Sequence, residues 1–97
     1  MTNDQVRRVI VKYREHLNGL GFIPKNYSND HRTSSVSVYR LCHICWMCDE
    51  VENMLDHNVD TEKVHRWFGF IQGVLCADGI YSIEEMREHN RAEGVEV

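Results

Sequence analysis

Four stretches of this chain place apolar side chains three and four residues apart, and residues that start or stop helices bound each of them. That period buries one face of a helix and is incompatible with the two-residue alternation of a strand. Thr2 and Gln5 have the spacing of a capping box, and Val6, Val9, Ile10, Tyr13 and Leu17 follow on one arc as far as Gly19, predicting a helix over about 3–18. Thr33, Ser34 or Ser35 caps a second helix to about 35–56, whose stripe is Leu41, Ile44, Cys45, Cys48, Val51 and Leu55. Asp60, with Val59 and Val64 at staple spacing, opens a third over 61–78, carrying Val64, Trp67, Phe68, Ile71, Val74 and Leu75 until Gly79. Ser82 and Glu85 form another capping box, flanked by Tyr81 and Met86, and begin a short helix over 83–92. The expected fold is all-α: one domain over 1–97, a compact bundle of about four helices with the 61–78 stretch near its centre.

A chain of 97 residues buries roughly two thirds of its unfolded surface, enough for a core without disulfide or metal staples. The segment from Leu20 to about Thr33 is the one long loop, rich in turn formers, with Phe22, Ile23 and Tyr27 as expected tethers to the core. The start, MTNDQVRRVI, has no apolar signal region, and the near-apolar run from Trp67 to Ala77 is far short of the roughly 20 residues that span a bilayer. No membrane association is expected, and four cysteines in such a chain read as reduced thiols of a cytoplasmic protein. The net charge of −4 argues against a nucleic-acid binder. It hides a split: residues 1–40 carry seven Lys/Arg against Asp4, Glu15 and Asp30, whereas residues 41–97 carry four basic and twelve acidic residues. Such a split serves intramolecular packing, self-association or docking on a charged partner.

Four constellations could carry function. Cys42, Cys45 and Cys48 repeat the C-x2-C-x2-C start of an iron–sulfur signature, with Cys76 as a fourth thiolate, and a zinc site could borrow His43 or His65. Their helical phase puts Cys45 and Cys48 on the apolar stripe, so they are expected to be structural, with no metal and no cofactor. Opposite that stripe, Tyr39, Cys42, His43 and Trp46 cluster, and Tyr39, His43 and Trp46 are read as a partner-binding face because Trp and Tyr anchor interfaces. The competing expectation is burial, beneath the long loop or by a central helix. Gly69, Gly73 and Ala77 recur every four residues and suggest close approach of another helix, from the same chain or a second copy. His65, Arg66, His89 and Arg91, with Asn90, could form a small anion site, set against an ordinary polar surface. No Ser/His/Asp, metalloprotease or phosphate-loop pattern is present, and no catalytic residue is assigned.

The stretch from Arg66 to Leu75, RWFGFIQGVL, and that from Gly79 to Arg91, GIYSIEEMREHNR, together resemble small uncharacterised proteins of tailed bacteriophages, with further similarity around Trp46-Met47-Cys48. The resemblance covers the last third of the chain and brings no catalytic signature. It implies a phage accessory protein in the cytoplasm of the bacterial host, where short acidic proteins act in host takeover by binding and blocking host or defence components. The expected function is a non-enzymatic binding protein, a modulator or inhibitor of such a component, with homo-oligomerisation left open. One alternative is a protein sequestering an anionic nucleotide through Arg66, Arg91, Tyr81 or the basic face of the first helix. Another is a metal or iron–sulfur protein.

Overall fold

The computed structural model describes residues 1–91 and is built of helices, with no strand among them. They are α1 (Asn3–Gly19), α2 (Arg32–Ser35), α3 (Ser37–Asp56), α4 (Thr61–Ala77) and α5 (Ile83–Asn90). Both expected capping boxes form: Thr2 with Gln5 at the start of α1, and Ser82 with Glu85 at the start of α5. The second expected helix begins later than its serines suggested. Residues 32–35 make the separate short helix α2, and Val36, extended at φ −123°, breaks it from α3. The expected end of the fourth helix, residue 92, lies outside the described residues, and α5 stops at Asn90.

Three helices end in the same way, through a residue in the left-handed region that turns the chain back on itself. Gly21 (φ 97°), Asn58 (φ 52°) and Gly79 (φ 72°) take that conformation. The next residue in each case donates its N–H to the carbonyl five back: Phe22 to Leu17, Val59 to Met54 and Ile80 to Leu75. Phe22, Val59 and Ile80 are then directed against the core they have just left. Gly19 is still helical, and the stop belongs to Gly21, because an L side chain resists positive φ.

The centre of the bundle is α3, not the 61–78 stretch expected there. It packs against α1, α2 and α4, and from Tyr39 to Glu52 it has no exposed residue. Its stripe of Leu41, Ile44, Cys45, Cys48, Val51 and Leu55 meets Val6, Val9, Ile10, Tyr13 and Leu17 of α1 and Val64, Phe68, Ile71 and Leu75 of α4 in one core. Part of the charge split is spent inside the chain: Arg7 pairs with Asp56, and Arg14 with both Asp49 and Glu52, tying α1 to α3. A sharper lock joins α3 to the end of α4, where the Arg40 guanidinium forks onto the carboxylate of Asp78, whose side chain is only 7% exposed. Arg40 also donates to the Thr33 carbonyl at 3.2 Å, which holds the 28–36 segment beside them.

α5 is fastened by a polar network around one hydroxyl. Tyr13 is fully buried, and its hydroxyl accepts from Gln72 Nε2 at 2.9 Å and shares a hydrogen bond with His89 Nδ1 at 2.9 Å. Gln72 and Asn90 exchange amide hydrogen bonds at 2.8 and 3.2 Å, so α1, α4 and α5 meet in one satisfied cluster. Burial pushes the Tyr13 hydroxyl up to about 12, so it stays protonated.

Cys45 and Cys48 lie in the core without exposure, and Cys42 and Cys76 are half-buried. The Cys45 thiol donates to Asn18 Oδ1 at 3.2 Å, and burial pushes it up to about 11; burial raises Cys48 as well. Thiolate, the form that attacks or ligates, is therefore disfavoured at both. Alkylation with iodoacetamide at neutral pH should modify Cys42 and Cys76 first. Cys45 should lag by about a hundredfold or more, since its thiolate fraction falls tenfold per unit of rise. Equal labelling of all four, read by peptide mass spectrometry, would contradict the packing.

Candidate site: an aromatic trough beside the central helix

The long loop lies over one side of α3, and two backbone N–H groups pin it there. Lys25 donates to the Cys42 carbonyl at 3.2 Å, and Tyr27 donates to His43 Nδ1 at 3.1 Å. The Tyr27 ring meets Tyr39 edge-on at 5.2 Å, and Arg32, paired with Asp30, lies over the Tyr39 ring at 4.1 Å while donating to its hydroxyl. Tyr39 is thus taken up by the loop, and its ring is a clasp for residues 27–32. His43 and Trp46 are placed differently.

His43, Trp46 and Trp67 form a run of rings, with centroids 5.2 Å apart for the first pair and 6.1 Å for the second. Lys63 Nζ continues it, 5.8 Å from the Trp67 ring. These rings floor an open trough between α3, α4 and the loop. One end, of about 350 Å³, is lined by Ser28, His43, Trp46, Met47, Arg66, Trp67 and Phe70. The other, of about 350 Å³, reaches Thr33, Ser34, Arg40 and Ile44 and shares Ser28, His43 and Phe70 with the first. Phe70 therefore stands between two depressions, 55% exposed on the outer side of α4. Trp46 and Trp67 are half-buried against the core, so they are anchored from below and open above. Because its Nδ1 accepts from Tyr27, neutral His43 carries its proton on Nε2.

The expected contribution of Trp67 to the core is only half realised, and Phe70, which no expectation singled out, is the most exposed aromatic of the trough. Its phase on the helical wheel, one residue past Gly69, was the available signal: a large aromatic on the small-residue side of an otherwise apolar helix. That side is open. A Cβ added at Gly69 or Gly73 would meet nothing within 4 Å, and Ala77 is exposed. Close approach of a helix from the same chain, one of the two origins considered for this face, is therefore not what these residues do among the described residues.

The four residues considered for an anion site are dispersed by the fold. His89 is bound to Tyr13, with Tyr81 edge-on at 4.8 Å, and Arg91 pairs with Glu88. Arg66 lines the trough instead. His65 is half-buried, its Nε2 without a hydrogen-bond partner among the described residues. No hydrogen bond or ion pair among the described residues links the His65–Arg66 pair to the His89–Arg91 pair. Among the same residues, no three His, Cys, Asp or Glu side chains are arranged to hold one metal ion. Among the described residues, no helix is long and apolar enough to cross a membrane.

Two outcomes follow from this geometry. Gly69→Ala and Gly73→Ala should each stabilise the protein by about 0.5 to 1 kcal/mol in urea melts, since the added methyl is unobstructed and the unfolded chain loses freedom. Loss of stability in both would place another helix on that face. The histidines give the second outcome. Burial lowers the pKa of both His43 and His89; nearby Lys12 adds to this at His89 and Glu85 opposes it. Both are favoured neutral when folded, so their contribution is complete above the unfolded histidine value of about 6.5. As pH falls from there through the folded values, the unfolded chain binds more protons and stability is lost. The urea midpoint should therefore drop between pH 7.5 and pH 5, more so than in a His43→Gln, His89→Gln double variant; a flat profile would remove both rings from the linkage.

Compared with known proteins, the chain matches no protein-family model, no curated protein and no solved structure.

Proposed function

We propose that this chain is a non-enzymatic binding protein and that the trough of Trp46, Trp67 and Phe70 docks a protein partner. The observation that carries this is the clustering of three partly exposed aromatic rings in one depression of a small protein that covers most of its other large apolar groups. Interface energy concentrates in such anchors, and Trp and Tyr are over-represented among them. The polar groups around the floor, His43 Nε2–H, the Ser28 hydroxyl and the Arg66 guanidinium, supply directional bonds at the rim of an apolar centre. In the phage setting that the resemblance implies, the partner is a host or defence protein, and occupying its surface modulates or inhibits it.

The alternative of a nucleotide-sequestering protein draws support from one feature, a guanidinium beside stackable rings at Arg66 and Trp67. Of its other expected residues, Tyr81 is buried and Arg91 pairs with Glu88.

The test compares the tagged protein with its Phe70→Asp variant in quantitative co-purification from bacterial lysate. Phe70 is more than half exposed, so the variant should keep its helical circular-dichroism melt while losing the retained partner by about tenfold or more, the scale of a hot-spot truncation. An identical set of retained proteins for the two forms would refute docking at the trough. A thermal shift with ATP or a cyclic dinucleotide that disappears in Trp67→Ala would favour the small-ligand alternative.

A further inference from the structure

Resting on the trough as a docking site, we infer that its occupant is an acidic peptide segment of another protein, laid along the trough with one bulky apolar side chain on each side of Phe70 and carboxylates against Arg66. The shape excludes an enclosed ligand. Small-molecule sites bury most of their ligand, whereas here two adjacent depressions of similar size open to solvent. Two open depressions that share Phe70, His43 and Ser28 suit successive anchors of a helix or extended segment.

The charge of the lining selects the chemistry. The chain carries 15 Asp and Glu against 11 Lys and Arg, yet none of the residues lining either depression is a carboxylate. The lining residues are aromatic, aliphatic or hydroxyl-bearing apart from His43 and two arginines. Arg40 is satisfied by Asp78, but Arg66 is exposed and pairs with no carboxylate among the described residues. Lys63, next to Trp67, extends the positive rim. The donors offered to an occupant are the Arg66 N–H groups and His43 Nε2–H, while the hydroxyls of Ser28, Thr33 and Ser34 already donate within the loop, to Asn26, Asp30 and His31. A carboxylate-bearing segment accepts from both Arg66 and His43.

Trp46 and Trp67 are the only tryptophans in the chain, so intrinsic fluorescence reports on this site alone. The experiment selects a displayed random-peptide library, of about a dozen residues, on the whole protein and on its Arg66→Glu and Phe70→Asp variants. The enriched peptides should combine Asp or Glu with two bulky apolar residues. A synthetic representative should shift the tryptophan emission, bind about tenfold more weakly to Arg66→Glu, and weaken as salt rises. Enrichment of neutral or basic peptides that still require Phe70 would overturn the acidic occupant while leaving the docking site standing. Enrichment indifferent to Phe70→Asp, or none above background, would overturn both. A concentration-dependent dimer, seen by sedimentation and broken by Phe70→Asp, would make the occupant a second copy and end the proposal.

Discussion

The structure depends on covering α3 from several sides at once. Its residues from Tyr39 to Glu52 run about four turns without one exposed to solvent, so no single neighbour suffices. α1 and α4 take the stripe of Leu41, Ile44, Cys45, Cys48, Val51 and Leu55, and the loop from Leu20 takes the side bearing Tyr39 and Cys42. The loop's backbone fastens at Lys25 and Tyr27, and its hydroxyl-bearing end is caught by Arg40. Where loop and α4 diverge, Trp46 is left supported but uncovered. The trough is thus the uncovered remainder of an otherwise enclosed helix, and its rings are held on elements that cannot easily move.

Polar chemistry does the complementary work of fixing orientation. Hydrophobic packing alone would let α5 slide along α1, because burial is non-directional. The buried Tyr13 hydroxyl forbids this, since its two partners come from different helices and an orphaned hydroxyl there would be costly. The Arg40–Asp78 fork does the same for the junction of α3 with the end of α4. Both devices sit at the margins of the core, and both draw on side chains that a helical wheel assigns to solvent.

The positions of the helices were legible in the sequence because their signals are local. Capping boxes at Thr2 and Ser82, an acidic cap at Asp60 and the left-handed stop at Gly79 each act within one turn of chain. The stripe carrying Cys45 and Cys48 followed from the same periodicity. Less legible was the role of each face. Tyr39, His43 and Trp46 share one side of α3, yet Tyr39 clasps the loop and Trp46 opens into the trough. Gly69 and Gly73 suggested close packing, and the fold turns them outward.

What the sequence by itself determined is therefore the class of the protein: an all-α chain, its helices and their caps, and the set of apolar side chains that must be hidden. Only the tertiary structure decided which helix is central, which side of α4 is left open, that His89 and Arg66 serve different places, and that Phe70 joins two tryptophans around one groove. The physical reason is the range of the interactions. Caps and periodicity act over three or four residues, whereas the trough is bounded by chain segments as far apart as Ser28 and Phe70, brought together by the packing of α3 against its neighbours.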